Sequence, residues 1–390
     1  MTNCKSQLFN MISEDRIIED LKDMVAINSV VGDETELAEC IGGKLDQLGT
    51  DPRFQDVKKG RKNVYSVFQL NGDGPLITFN GHTDTVPVCE GWKEDPFTPT
   101  VKDGKLYGLG SWDMKAGLAC ALEAYRVLVQ ADPNLNGSIA YSAVIDEEGY
   151  SAGAKELLNS ELADSSAILI GEPHFGTSDQ PIPQGITGKV LYEVTARGKS
   201  AHGFYPERGV NAIEDLAELV SQLDKIRMID HPDFGPGNIC TLKFEGGYKK
   251  YSVSVPDKSR AVINRLLVPG ESIESAVKDM EDLIEKAQLN SSIEVKSIPP
   301  SYDPITQSPE EGIFKDVVEN YRLTTGEKPK LGYVKGIMDA NVFVSRKNIP
   351  TVVFGPDGNG LHGADEYVNL DTLLPVTKVY LGAIFDFLNR

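Results

Sequence analysis

At 390 residues, with 40% hydrophobic and 25% charged residues, the chain is too long for one ordinary core and reads as a globular protein of about two domains. Its net charge of −19 argues against nucleic acid and anionic membrane surfaces, which require clustered Lys and Arg, and no stretch approaches the roughly 20 apolar residues of a membrane-spanning helix. The same charge suits either solubility or local enrichment of metal cations.

The first residues, MTNCKSQLFNMISED, lack the pattern of a secretory signal, so a cytoplasmic location is expected. Ser13 caps an amphipathic helix in SEDRIIEDLKDMVA, and ETELAECIGGKLDQLG predicts a second, ended by Gly49. NVYSVFQL and PLITFN read as adjacent strands across the turn NGDG. MKAGLACALEAYRVLVQ is a mostly apolar helix, followed by the strand SIAYSAVID and the short buried strand SAILIGEP. Such alternation implies an α/β layer domain. From about Gly188 the rhythm changes. KVLYEVTARG, ICTLKFEGG, RAVINRLLVP and SIEVKSI are strands, and GVNAIEDLAELVSQLDKI and ESIESAVKDMEDLIEKAQ are helices. Their order is βαββαβ, the ferredoxin-like unit. PPSYDP marks a return, and the chain ends in the helix LDTLLPVTKVYLGAIFDFLN. The expected fold is therefore α/β, with a mixed twisted sheet flanked by helices over residues 1–185 and 299–390, and an inserted α+β domain over 186–298.

The five cysteines (Cys4, Cys40, Cys89, Cys120 and Cys240) are odd in number, widely spread and without a CxxC pair. Reduced thiols are expected; Cys89, close to His82 in sequence, reads as a half-buried inert thiol, with an oxidation-sensitive one as the alternative.

The residues of chemical interest fall at strand ends and in loops of the first domain, where α/β sheets place their sites. His82 and Asp84 are two apart beyond an apolar run, so both side chains point one way if the strand continues, and a carboxylate beside an imidazole can fix its tautomer. A hydrogen-bonded structural pair would look the same. Asp113 stands between a glycine-rich loop and a helix start, where a helix N-cap is the plain alternative. Asp146, Glu147 and Glu148 follow a strand. In extended chain the two glutamates would face opposite sides, one for a metal and one for a proton, whereas a solvated acidic turn needs neither role. Glu172 closes an apolar strand, which calls for a partner, and His174 nearby reads as a supporting or surface residue. His362 lies in a glycine-rich loop, where a lone histidine is commonly just exposed. Together these make two histidines and at least three carboxylates. Mixed nitrogen and oxygen donors suit zinc, cobalt or manganese. Five ligands exceed one tetrahedral ion but suit two ions about 3.5–4 Å apart sharing a carboxylate.

GHTDTVPV, the W…DPF stretch from Trp92 to Phe97, YGLGSWDMKAG, DEEGYSAG, GEP, GKSAHGFYPERGVNAI, VPD…NRLLVPGES and FGPDG…LHGADEYV occur in this order over nearly the whole chain. This set resembles the dinuclear-metal family of acetylornithine deacetylase, succinyl-diaminopimelate desuccinylase, aminoacylase and carboxypeptidase G. The resemblance implies that His82 and Glu172 hold one metal and Glu148 and His362 the other. It also implies that Asp113 bridges them with a cis peptide bond to Met114, and that Asp84 orients His82. Glu147 would be the general base that deprotonates the attacking water and then protonates the leaving amine. His202 of SAHG would reach across a dimer to stabilise the oxyanion, although a satisfied strand histidine is the plain alternative, and Arg265 would clamp a substrate carboxylate. His231 has no role in the pattern.

The implied protein is thus a zinc-dependent amidohydrolase or metallopeptidase. It would act on an N-acyl amino acid or short peptide and dimerise through the inserted domain, which would also serve as a lid. A carboxypeptidase or dipeptidase of the same family is the nearest alternative, and a metal-bound binding protein without catalysis a more distant one. The chain departs from the common pattern at Leu109, Trp112, the YSVS before Val255-Pro256, and Met338. These departures spare the inferred ligands and are expected to touch substrate contacts.

Overall fold

The strand Asn136–Val144 is buried over nearly all its length and takes an interior place in the larger sheet. The computed structural model describes residues 2–390, with side chains from Lys5 onward, so Cys4 lies outside the described side chains. The chain divides into two units, one of residues 1–184, 307–332 and 338–390, the other of residues 185–306 and 333–337.

In the first unit the six strands run in the order Arg53–Lys58, Arg61–Gln69, Asn136–Val144, Asn71–His82, Ala167–Ile170 and Thr351–Val353. Arg61–Gln69 and Asn71–His82 are therefore not neighbours, contrary to the reading across NGDG. Asn136–Val144 lies between them, antiparallel to the first and parallel to the second. The helix Ala116–Ala131 explains this, because it carries the chain back so that the next strand can run parallel to Asn71–His82. Asn136–Val144, buried on both faces, then fits an interior place. Ala167–Ile170 and Thr351–Val353 extend the parallel part, so four parallel strands deliver their C-terminal ends to one edge.

Helices cover the sheet through residues spaced as the sequence predicts. Ser13 accepts the Arg16 N–H and caps Glu14–Val25, whose Ile17, Leu21 and Met24 are buried. Phe79 of the sheet meets Tyr380 of the last helix, Leu373–Leu388, edge to face at 5.7 Å. At the start of Ala116–Ala131 the backbones nearly touch: a Cβ on Gly117 would lie 1.9 Å from the Gly171 carbonyl oxygen. Only glycine allows this approach. Among the described residues no helix is long and apolar enough to cross a membrane.

The second unit contains the strands Gly188–Arg197, Asn238–Gly246, Lys258–Leu267 and Ser292–Tyr302, and the helices Ala212–Val220 and Ile273–Ala287. The sheet order places Lys258–Leu267 and Gly188–Arg197 inside, with Asn238–Gly246 and Ser292–Tyr302 at the edges, all antiparallel. This is the ferredoxin-like arrangement. The alternation of buried and exposed residues along Gly188–Arg197 reflects helices on one face only. Ser292–Tyr302 runs as one strand through residue 298.

Candidate metal centre

His82 is the last residue of its strand, Glu172 lies two residues beyond Ala167–Ile170, and Glu147 and Glu148 lie just beyond Asn136–Val144. Parallel pairing brings these ends together. Asp113 precedes the helix Ala116–Ala131 with non-helical backbone angles, and its peptide bond to Met114 is cis. Asp113 does not cap this helix; the turn Ser111–Lys115 intervenes. His362 lies between the short strands Gly358–Asn359 and Tyr367–Asn369, in a left-handed conformation with φ of 56°.

Five side chains converge in two overlapping groups. His82 Nε2 lies 3.2 Å from Asp113 Oδ1 and 3.5 Å from Glu172 Oε1. His362 Nε2 lies 3.2 Å from Asp113 Oδ2 and 3.0 Å from Glu148 Oε1. Asp113 thus turns one oxygen to each histidine. Within each group the potential ligand atoms lie within 4.8 Å of one another, and Glu147 joins His82 and Glu148 in a third set on the same criterion. Among the described residues no Lys or Arg pairs with Asp113, Glu148 or Glu172.

The electrostatics reflect crowded, dehydrated carboxylates. Burial and then the neighbouring Glu172 push Glu147 well above the usual carboxylate range, and burial does the same to Glu172. Burial alone would lower the pKa of His82, but Glu172 and Asp113 outweigh it and raise it well above the ordinary value. Hydrogen bonds to Asp113 and Glu148 push His362 up to about 10. Burial opposes ionisation of Asp113, yet the two histidines hold its carboxyl below the usual range. Such a set, rich in anions and short of cationic partners, fits divalent ions in its donor chemistry.

His82 Nδ1 lies 2.8 Å from the main-chain oxygen of Asp84. A carbonyl only accepts, so Nδ1 carries a proton, and Nε2 is the ring atom that faces Asp113 and Glu172. The Asp84 carboxylate is 3.8 Å from the ring and is otherwise engaged. It accepts the main-chain N–H groups of Glu147 at 3.1 Å and Glu148 at 2.9 Å. The expected orientation of His82 by that carboxylate is therefore corrected: the main chain orients the ring. The acids also lie in a turn, with Asp146 left-handed at φ of 69°, instead of on extended chain. Lys58 and Arg61 hold Asp146 away from the cluster, at 2.6 and 2.8 Å.

The family described as peptidase family M20/M25/M40 matches residues 78–386. The chain belongs to this family. It is a hydrolase of the M20 type. A probable succinyl-diaminopimelate desuccinylase of Staphylococcus epidermidis is 28% identical, the match covering 97% of this chain and all of that one. A solved tripeptidase of Staphylococcus aureus is 26% identical with a TM-score of 0.76, over 97% of this chain and 100% of the other. A Bacillus subtilis protein described as a dinuclear metal binding peptidase shares the fold at 16% identity and a TM-score of 0.71, over 96% of this chain and 99% of that one.

Of the other expected site residues of this M20 hydrolase, Arg265 and His202 belong to the second unit and His174 to the first. Arg265 is 1% exposed, and its terminal nitrogens donate to Asp279 at 2.8 Å and Glu271 at 2.6 Å. The guanidinium expected to clamp a substrate carboxylate is thus paired within the chain, because strand alternation turns Arg265 inward beneath the helix Ile273–Ala287. His202 is exposed in the second unit, pairs with Ser254 in an isolated bridge, and accepts the Phe204 N–H at 3.2 Å. His174 Nδ1 donates to the Pro181 carbonyl at 2.9 Å, and burial lowers its pKa to about 4. Cys89 is exposed, not half-buried.

Two departures from the family pattern prove to be interior. Leu109 and Trp112 are 2% and 7% exposed. Trp112 Nε1 donates to the Pro356 carbonyl at 2.9 Å, and its ring occupies the space beside Gly358. Reading the sequence passed over Glu366, which is buried behind Asp113. Its only local signal was an acid four residues after His362, just before a short β-branched strand.

Proposed function

We propose that this M20 hydrolase cleaves the amide bond of an N-acyl amino acid. The observation that carries the reading is Asp113, which turns one oxygen toward His82 and the other toward His362. His82 and Glu172 would hold one divalent ion, Glu148 and His362 the other, and Asp113 would bridge them. Zinc suits the mixed nitrogen and oxygen donors, and cobalt or manganese can replace it. When bound, such ions polarise the scissile carbonyl and lower the pKa of the attacking water.

Glu147 takes the proton of that water and passes it to the leaving amine nitrogen. Its place beside His82 and Glu148, and a pKa raised well above the ordinary carboxylate, support this role. Asp84 holds the Glu147 main chain and so aims the base. His202, from a second copy, would stabilise the tetrahedral oxyanion. The dimer would form through the inserted unit, which would also close as a lid. Asn238–Gly246 supports this interface as an edge strand with exposed Leu242 and Phe244. The desuccinylase relative supports the N-acyl reading, and the tripeptidase at 26% identity favours a second one, hydrolysis of short peptides. A cytoplasmic location accords with either.

The test is free-amine release from N-acetyl and N-succinyl amino acids, dipeptides and tripeptides, with zinc-loaded and chelator-treated protein. Release from acyl substrates that chelation abolishes, and that Glu147→Gln reduces by at least about 100-fold, is the expected result. Release from peptides alone would select the second reading. Near-native turnover in Glu147→Gln would overturn the base assignment.

A further inference from the structure

Glu366 is 1% exposed, and its carboxylate accepts three N–H groups of one loop. Oε2 takes Gly110 at 2.9 Å, and Oε1 takes Trp112 at 2.8 Å and Asp113 at 3.0 Å. Its main-chain oxygen accepts the Gly108 N–H at 3.1 Å and the Ser111 hydroxyl at 3.4 Å. One residue thus collects five donors from Gly108 to Asp113. Among the described residues no Lys or Arg lies in ion-pair contact with this carboxylate, so the N–H groups are its hydrogen-bonding partners.

Strand pairing and glycine geometry produce the arrangement. Tyr367 pairs with Tyr107, which places Glu366 against the chain leaving that strand. Gly108 and Gly110 then adopt φ of 154° and 75° and wrap the loop around the carboxylate. There is no room for side chains there: a Cβ on Gly110 would lie 2.5 Å from Thr85. The other end of the His362 loop is fastened to the same segment, since Trp112 donates to Pro356. His362 lies between these two attachments.

We propose that Glu366 is a positioning residue that sets the separation of Asp113 from His362, and through it the affinity for the second of two metal ions. It would touch neither metal nor substrate. The inference rests on the two-metal reading above. A carboxylate that fixes three N–H groups around Asp113, while its own chain carries His362, ties both ends of one ligand group. Outer groups of this kind change metal affinity by about 10–100-fold when replaced. The first ion, held by His82 and Glu172, depends on this clamp only through Asp113.

The experiment titrates zinc and Co(II) into chelator-treated wild type and Glu366→Gln, by calorimetry and by Co(II) absorption. The amide keeps one acceptor oxygen but sets N–H against N–H on the other side of the clamp and removes the charge, so the clamp is weakened with little change in size. The expected result is that wild type binds two ions, and the variant keeps the first but loses about 10–100-fold in affinity for the second, with an altered Co(II) spectrum. If Glu366→Gln does not fold, Glu366→Asp keeps the charge at shorter reach and should show a smaller loss of the same kind. A folded Gln or Asp variant with both affinities and the spectrum unchanged would overturn the proposal even if its Tm falls. Wild type binding fewer than two ions would overturn the two-metal reading and this inference with it.

Discussion

The carboxylate of Asp84 holds the main chain of Glu147 at 3.1 Å, while only its carbonyl holds His82, at 2.8 Å. One residue therefore sets two groups by two different atoms. The carbonyl fixes the proton on His82 Nδ1, and the 1% exposed carboxylate anchors the turn bearing Glu147 and Glu148. Asp84→Asn keeps the carbonyl and removes one good acceptor. Hydrogen bonds to a charged acceptor contribute about 1.5–3 kcal/mol, so turnover should fall about 10–100-fold while His82 still binds its ion. Steady-state rates and metal content measured together check this. Loss of metal with an unchanged rate per loaded site would point back to the imidazole.

Replacing Arg265 should affect folding, not substrate affinity. Its two ion pairs with Glu271 and Asp279 lie within the second unit, and the guanidinium is buried. Breaking a buried pair by removing one partner costs about 3–5 kcal/mol; Asp279, which is half open to water, reduces the effect toward the lower figure. Arg265→Met should lower Tm and leave KM unchanged. A large rise in KM in a fully folded variant would restore the substrate role.

Gly117→Ala tests how a backbone contact sets a ligand. The added methyl would meet the Gly171 carbonyl, one residue before Glu172. Overpacking of this kind costs about 1–3 kcal/mol. The strand end must shift, so Tm and the affinity for the ion at His82 and Glu172 should fall together. Unchanged metal affinity would show that Glu172 is positioned independently of this contact.

Asp316 provides a pH test remote from the cluster. Burial raises its pKa to about 6, against the opposing pull of Arg390. One oxygen pairs with Arg390 and the other has no hydrogen-bond partner. In the unfolded chain the carboxyl titrates near its ordinary value of about 3.9. Between these values the folded protein binds the proton more tightly, so stability from this group is present at pH 4 and lost as pH rises through 6. Asp316→Asn cannot ionise. Its stability relative to wild type should therefore rise across that interval, by about 1 kcal/mol after allowing for the half-exposed Arg390. Denaturant melts at pH 4 and pH 8 measure the difference, and a constant offset would contradict it.

The residues His82, Asp113, Glu147, Glu148, Glu172 and His362 were legible as a group because each sits at an element end marked by glycine, proline or a sudden acid. The ferredoxin-like unit was legible too, since KVLYEVTARG and its partners carry period-2 alternation and helix spacing within short windows. Those signals are local. The place of Asn136–Val144 between two consecutive strands was not, because pairing depends on a crossover made by a helix some distance along the chain.

Local periodicity, turn chemistry and the order of motifs thus determined the kinds of elements, the two-part organisation and the residues of chemical interest. Tertiary structure alone decided which atom of each residue is used. Asp84 orients His82 by its carbonyl, Arg265 turns inward to Glu271 and Asp279, and Glu366 closes on the loop of Asp113. The physical reason is that buried polar groups must find partners. Which partners are within 3 Å depends on distant segments meeting, and residue type and spacing along the chain do not contain that distance.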